Sequence, residues 1–441
     1  MYKLKLIFIE FFSNNLIKNI SVFLSGSILA LLASALTQFL LPKLLSIEDY
    51  GFYKSFTLYL SFTSLFHFGL KDGIYMFLCS NKVSKIINSS FFTAIIIQQS
   101  MILIIMLLAS FYITSFNNTV FICLSFTSFF LIINTYYDSL YQSKKKFKIV
   151  SVLKVLKEFV FLFYVLFVFL CLKITDFGYL LVAFLFSVFI VFLIYSISSR
   201  KHLSLTASIN YNIIKPVYKR GFTQIVGNFG NQINTNVDKL FVNIFYPVKL
   251  FAVYSFGGMF FVLVNTLVNS ITTVVLPYLF NLDKFNLKEK YKKLMLATQI
   301  ISLFLFFYVI AVFYLIDNFY ENYTKSISII SLFYVGMVYN LKINIVQNNF
   351  LKSLDMDKDY IRNNYISLLL FISTMIIMFL NNIDLIYFAL CTSIMMYFRF
   401  RINLVIVNKK LGEKNNYIFH DILSFILGSF LYLYANNYVL S

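Results

Sequence analysis

The sequence predicts an all-α polytopic membrane protein, with 12–13 transmembrane helices in two six-helix lobes around a central cavity. Three observations carry this expectation. Hydrophobic residues make up 60% of the 441 and charged residues only 12%, against about 45–50% and about 25% in an average soluble domain. Halving the charge removes what solvates a soluble surface, and lipid is the alternative solvent. Apolar runs of ~20 residues, the length of a spanning helix, recur along the whole chain. Between them, loops rich in Lys and Arg alternate with loops that are nearly free of both.

The candidate spans, in order, are 19–41, 50–70, 88–114, 119–142, 150–172 and 177–197 in the first half. In the second they are 221–246, 249–279, 293–316, 326–350, 362–380 and 383–407, with 417–440 as a thirteenth. Strand-like alternation is absent, which argues against a β-barrel. Residues 1–198 then form the N-terminal lobe, 199–220 a basic cytoplasmic linker containing Pro216, and 221–407 the C-terminal lobe. Residues 408–441 hold the extra helix, which contains His420 and Asp421, has no charged flank after it, and either spans or lies along the interface. The apolar run Leu6 to Phe12 is short and lacks a small-residue cleavage site, so the N-terminus is expected to be retained.

Orientation follows from the loops. The N-terminal tail and segments 71–87, 143–149, 200–220, 281–293, 351–362 and 399–414 together hold 28 of the 37 Lys and Arg residues. The opposite loops hold four: Lys43, Lys173, Lys249 and Lys325. Basic residues mark the cytoplasmic side, which places the N-terminus and the loops after even-numbered spans there. The same placement explains the net charge of +19 without nucleic acid: the cations flank membrane and meet anionic lipid. With 55 Phe, 32 Tyr and no Trp, Tyr must supply the interfacial aromatic belt.

Metal and redox chemistry find little footing. Cys79, Cys123, Cys171 and Cys391 form no CxxC or Cys/His spacing and read as small core residues. His67, His202 and His420 are scattered. No phosphate loop, HExxH or GxSxG motif is present, and no cofactor or metal is expected. Asp355, Asp357 and Asp359 begin with calcium-loop spacing, but Tyr360 stands where that loop needs Gly. A solvated cytoplasmic turn is the better reading.

The halves show a faint repeat. Leu45-Ser46-Ile47-Glu48-Asp49-Tyr50-Gly51-Phe52-Tyr53 follows the first span, and Phe245-Tyr246-Pro247-Val248-Lys249-Leu250-Phe251-Ala252-Val253-Tyr254 follows the seventh. A shift of 201 residues sets Gly51 on Ala252 and Tyr53 on Tyr254. A small residue with a Tyr two positions on would let the turn pack tightly. Parallel repeats of this kind build two-lobed transporters that rock about a central site.

The stretch Leu44 to Tyr53 resembles the first-hairpin signature of the Wzx-like polysaccharide and O-antigen flippases, a branch of the multidrug/oligosaccharidyl-lipid/polysaccharide exporter superfamily. Phe68-Gly69-Leu70-Lys71-Asp72-Gly73 is similar to the family's Gly-containing end of the second helix. Asn231-Gln232-Ile233-Asn234-Thr235-Asn236-Val237-Asp238-Lys239 resembles its seventh helix, a polar face followed by Asp and a basic residue. The resemblance implies translocation of an undecaprenyl-diphosphate-linked oligosaccharide across the bacterial cytoplasmic membrane, for O-antigen, lipopolysaccharide or capsule. It also implies coupling to protons or sodium, and no enzymatic activity. A thirteenth span departs from the common twelve. Two rivals remain. A polysaccharide polymerase or ligase should need a sizeable external loop with Arg or His, which is missing. A multidrug antiporter of the same superfamily should favour cavity carboxylates over lysines.

Ionisable groups inside spans are costly unless they face protein or water. The candidate cavity cations are Lys54, Lys154, Lys157 and Lys342. Lys is a common phosphate binder, and a fixed cation would offset the desolvation of a diphosphate headgroup. Lys54 and Lys342 have no acidic residue within a turn along the chain; Lys154 and Glu158, at i,i+4, can neutralise each other. Asp238, Lys239 and Glu158 are candidates for ion coupling or for pairing between lobes, and Asp138 should be solvated near the cytoplasmic end of its span. Gln224, Asn228, Asn231 and Gln232 on the seventh span share helical spacing with Asn340, Asn344, Gln347 and Asn348 on the tenth. These amides suit sugar hydroxyls, and equally suit bonds between helices.

The orientation has a direct check. Green fluorescent protein fused within 71–87, 200–220 or 351–362 should fluoresce, and alkaline phosphatase fused there should be inactive. The reverse pattern would invert the assignment.

Overall fold

The computed structural model describes residues 15–63, 65–80, 85–110, 118–144, 146–173, 176–200, 203, 210–279, 284–414 and 417–440. The run Leu6 to Phe12, His202 and residues 204–209 of the basic linker lie outside the described residues. Every regular element among those described is a helix. In lipid each backbone N–H and C=O must be satisfied internally, and a helix does this within one segment.

The chain divides into two compact units, Met1–Leu45 with Ser55–Val226, and Ser46–Lys54 with Gly227–Ser441. The first contains α1 (Asn15–Leu44), the greater part of α2 (Ile47–Thr63), α3 (Leu70–Ser80), α4 (Lys85–Ser110) and α5 (Asn118–Ser143). It continues through α6 (Phe147–Leu166, prolonged by a π-helical turn Phe167–Cys171), α7 (Gly178–Ser199) and the start of α8 (Tyr211–Asn234). Its aliphatic and aromatic core includes a tyrosine stack. Tyr195 lies parallel to Tyr137 at 5.2 Å and to Tyr141 at 5.6 Å. The hydroxyls find partners, Tyr137 with Ser196 at 3.3 Å and Tyr141 with Ser199 at 3.1 Å. A buried Tyr needs this.

Between α2 and α3 the chain turns through Phe68 and Gly69, both left-handed at φ 44° and 87°. The Gly69 N–H donates to His67 Nδ1 at 3.0 Å, so His67 serves the turn. A Cβ at Gly69 would lie 2.5 Å from the Gly221 carbonyl carbon, and one at Gly221 only 1.9 Å from the Gly69 oxygen. The turn and α8 therefore cross backbone against backbone, which is why this Gly-containing segment takes no larger residue.

The second unit holds α9 (Val237–Phe245), α10 (Val248–Leu279), α11 (Lys284–Phe319) and α12 (Ser326–Lys342). α12 runs through a π turn, Ile343–Gln347, into α13 (Asn348–Ser353). Then come α14 (Asp357–Leu380), α15 (Ile386–Leu411) and α16 (Ile418–Leu440). α12 is the axis: all its residues and those of the π turn are buried, with α10, α11, α15 and α16 packed around it. A helix covered on every side is a core element. The outward faces of α4, α11 and α16 carry exposed Ile, Leu, Met and Phe, such as Ile105, Phe304 and Leu433. Water would not tolerate so continuous an apolar surface.

The two repeat segments meet each other in this unit. Ser46 opens α2 with a reciprocal cap: its Oγ accepts from the Asp49 N–H at 3.1 Å and donates to the Asp49 carboxylate at 2.6 Å. That fixes the following turn, in which a Cβ at Gly51 would sit 2.5 Å from Val248 Cγ1, 2.8 Å from the Val248 carbonyl and 3.4 Å from Ala252 Cβ. Tyr53 and Tyr254 are both buried.

Among the described residues, ten helices are long and apolar enough to cross a membrane. The remaining three of the thirteen expected windows are interrupted or charged. The second stops at Thr63 before the Phe68–Gly69 turn. The fifth carries Lys154, Lys157 and Glu158, and the seventh breaks at Thr235–Asn236 between α8 and α9. The final window forms one helix, with a stretch Ile418–Asn437 of spanning length. Two expectations are corrected. Cys171 is exposed, while Cys123 and Cys391 are buried. Arg399, counted with a loop, is buried inside α15.

Gly51→Leu should destabilise the protein by about 1–3 kcal/mol, because the added carbons meet a backbone carbonyl that cannot rotate away. The check is the melting temperature of detergent-purified protein, with Gly51→Ala expected to fall between Leu and wild type.

Candidate functional site

The polar groups inside the second unit form separate clusters. The largest surrounds Asp421 at the start of α16. Its Oδ1 accepts from the Tyr339 hydroxyl at 2.9 Å and lies 3.8 Å from Lys342 Nζ; its Oδ2 accepts from Arg401 Nη1 at 3.3 Å. Lys342 is 0% exposed, and its ammonium also sits over the rings of Tyr339 at 5.0 Å and Phe400 at 5.4 Å. The absence of a nearby acid holds only along the chain: Asp421, 79 positions later, supplies it in space. Two cations share this one carboxylate, which ties α12, α15 and α16 together.

A second cluster gathers Lys54, Asp238 and Lys239. Asp238 is buried and accepts at 2.8 Å from the Tyr254 hydroxyl. Its Oδ1 has no hydrogen-bond partner among the described residues. Lys239 is buried, its ammonium 5.9 Å from the Phe261 ring centre, with its stem crossing Gly258. The half-buried Lys54 stands over Tyr50 at 5.2 Å, near enough to Lys239 for the two charges to repel. The repeat turn thus delivers Lys54 to α9. Two lysines against one carboxylate leave a net positive charge in a low dielectric, which favours an anion.

The amides divide by helix. Asn340 donates to Asn265 at 3.0 Å, Asn344 to Asn340 at 2.8 Å and Asn348 to Asn344 at 3.0 Å. This is a single file along α12 and its π turn, buried throughout. Gln347 leaves the file and donates to the Tyr291 hydroxyl at 3.1 Å. On α8, Gln224 is exposed and belongs to the first unit, whereas Asn228, Asn231 and Gln232 belong to the second and are half-buried. Asn231 accepts from Arg399 Nη2 at 2.6 Å. Arg399 forms no ion pair among the described residues, and its Nε and Nη1 have no hydrogen-bond partner there.

The first unit has its own cluster. Glu158 pairs with Lys157 at 2.8 Å, a neighbour rather than the i,i+4 Lys154. Lys157 also lies 5.6 Å from the centre of the Phe184 ring. Asp138 is not simply solvated: it is half-buried, accepts from the Tyr195 hydroxyl, and feels both Lys154 and Lys157. Among the described residues no group of three or more His, Cys, Asp and Glu side chains could hold a metal ion.

Sequence reasoning missed Asp421 as the partner of Lys342, and it missed Arg399. The Arg399 signal was present, since it lies within the 383–407 window. It was masked by Arg401, Lys409 and Lys410, which follow it on the same helix.

This helical architecture defines the chain as a multi-pass membrane protein with a fold found in known transporters. It is similar to a structure of the lipid II flippase MurJ in an inward closed conformation, with TM-score 0.66 and 18% identity, covering 95% of this chain and 98% of that one. It is similar to a crystal structure of MATE in complex with MaL6, with TM-score 0.65 and 13% identity, covering 89% and 96%. An inward-facing multidrug resistance MATE family transporter of the MOP superfamily gives TM-score 0.63 at 12% identity, covering 93% and 99%. At these identities the likeness is one of fold. No curated protein matches the sequence. The family model for polysaccharide biosynthesis proteins matches residues 40–322, and the chain belongs to that family.

Asp421→Asn should cost about 3–5 kcal/mol, because it leaves Lys342 buried without a counter-charge. Combining it with Lys342→Met should recover much of the loss. Thermal unfolding of the two single variants and the double measures this, and additive losses would show that the two residues are not coupled.

Proposed function

We propose that the protein flips an undecaprenyl-diphosphate-linked oligosaccharide from the inner to the outer leaflet of the bacterial cytoplasmic membrane, for O-antigen or capsule assembly. The observation that carries this is a set of cations inside a membrane-embedded unit, Lys54 over the Tyr50 ring and buried Lys239 beside Phe261, with Asp238 as the one neighbouring carboxylate, in a polysaccharide biosynthesis protein. A diphosphate that leaves water needs fixed cations in return. Lys54 meets the diphosphate first in this reading, and Lys239 adds to the field. Lys342 already has Asp421, and Lys157 has Glu158, so their charge is largely committed to the fold. Lys154 remains a candidate cation within the first unit. Amides on α8, Asn228 and Gln232 among them, suit sugar hydroxyls. Asp238, with one oxygen that has no hydrogen-bond partner among the described residues, is the group for a coupling proton or sodium ion. The N-terminus lies in the cytoplasm, following the basic loops.

A hydrophobic cationic drug would meet these lysines as repulsion, which disfavours multidrug export. Lys54→Ala is expected to lower surface polysaccharide roughly tenfold or more, a loss of about 1.4 kcal/mol in the transport step. Protein abundance should be unchanged, and lipid-linked units should accumulate on the inner leaflet. Lys54→Arg should retain part of the activity. Wild-type polysaccharide in both Lys54→Ala and Lys239→Ala would sink the assignment, and efflux of cationic dyes by the wild type would favour the multidrug reading.

A further inference from the structure

One end of the second unit encloses a cavity of about 520 Å³, formed where the α9–α10 and α14–α15 turns meet the start of α12. Its volume lies within the ~300–1,000 Å³ typical of small-molecule sites. By the distribution of basic loops this is the non-cytoplasmic end. The lining combines Tyr246 and Phe379 with Ser328, Asn382, Asp384 and Lys325, and the other half of it is aliphatic.

The aromatic wall is held rigid. Tyr246 meets Phe379 edge-on at 5.9 Å and Phe388 at 5.7 Å, while Phe379 is backed by Phe241 at 5.7 Å and Phe245 at 5.0 Å. The polar rim is exposed at Lys325, Asn382 and Asp384, and its backbone is held in place. Asn382 sits at φ 52°, and the Ile383 N–H closes back on the Met378 carbonyl at 3.0 Å, a capped helix end. Asp384 accepts from the Ile386 N–H at 3.2 Å, which orients its carboxylate. Among the described residues neither Asp384 nor Lys325 forms an ion pair, so both charges remain available to a ligand.

Fixed aromatic surface beside an amide, a hydroxyl, a carboxylate and an ammonium matches one ligand chemistry well. A pyranose offers an apolar C–H face to the rings and hydroxyls that both donate and accept. An acyl chain would leave the polar rim unused, and Asp384 would repel a phosphate.

We infer that this cavity is a sugar-binding subsite, which takes a pyranose ring of the glycan at the non-cytoplasmic end of the second unit. The identity of that glycan as a transported headgroup rests on the flippase reading; the binding chemistry does not.

The chain has no Trp, so Tyr246→Trp places a single fluorophore on the platform and keeps an aromatic face there. Full-length Tyr246→Trp protein in detergent is titrated with the methyl glycosides of glucose, galactose, N-acetylglucosamine and rhamnose. At least one should give a saturable change with half-saturation near ~1 mM. Adding Asp384→Ala or Asn382→Ala should raise that concentration about tenfold in protein that stays folded at the assay temperature, with only a modest drop in melting temperature from the lost helix cap or the strained turn. Saturation-transfer NMR on the wild type with the same glycosides guards against an artefact of the new Trp. Strictly linear responses in both measurements, or saturation indifferent to Asp384→Ala, would overturn the subsite. Flipping of lipid-linked oligosaccharide in proteoliposomes is measured in parallel. Flipping without sugar saturation removes the subsite and leaves the flippase. Saturation without flipping by the wild type keeps the subsite and removes the flippase.

Discussion

The second unit is organised by one constraint: residues 326–351 have no face toward lipid or water, yet they carry a lysine and several amides. Each polar group must find its partner in protein. Neighbouring helices are placed accordingly. Asn265 on α10 ends the amide file, Tyr291 on α11 takes Gln347, and Asp421 on α16 answers Lys342. Moving any of these helices away would strand a polar atom in a low-dielectric interior, where the cost is several times that of a lost surface contact. The last helix is therefore an integral part of the unit, joined through a carboxylate that two cations share.

A second constraint acts at the turn after α1. The Ser46–Asp49 cap sets the start of α2, and Gly51 lets that turn lie against Val248 and Ala252. Tyr50 then packs edge-on against Tyr323 at 5.7 Å and Phe256 at 6.3 Å. This puts Lys54 beside α9. A charge that looks isolated on its own helix thereby becomes part of a group with Asp238 and Lys239, and the electrostatics of the group arise from a steric allowance at one glycine.

The fold alone does not choose a substrate. Structures of a lipid II flippase and of MATE transporters share it at similar TM-scores, and function resides in the groups placed on a fold. What separates the readings is the sign and setting of the charges. In the proposed reading, the membrane-embedded lysines and Arg399, which forms no ion pair among the described residues, suit an anionic headgroup, and the aromatic and polar cavity at the α14–α15 turn suits a sugar. Membership of the polysaccharide biosynthesis family agrees with both chemistries.

The sequence by itself determined the helical membrane class, because lipid imposes apolar length on every span and that length is written locally. It also marked the Gly51 and Gly69 segments, since a backbone contact needs glycine whatever the partner. The polar faces of α8 and α12 were legible too, for helical spacing is a local property. The pairings were not. Lys342 looked unpaired because Asp421 lies on another helix, the Lys157–Glu158 pair displaced the expected i,i+4 contact, and Arg399 was hidden by basic residues that follow it. Tertiary structure decided these because an ion pair or hydrogen bond depends on distances of a few ångströms between atoms far apart in the chain, and such distances are set by how whole helices pack.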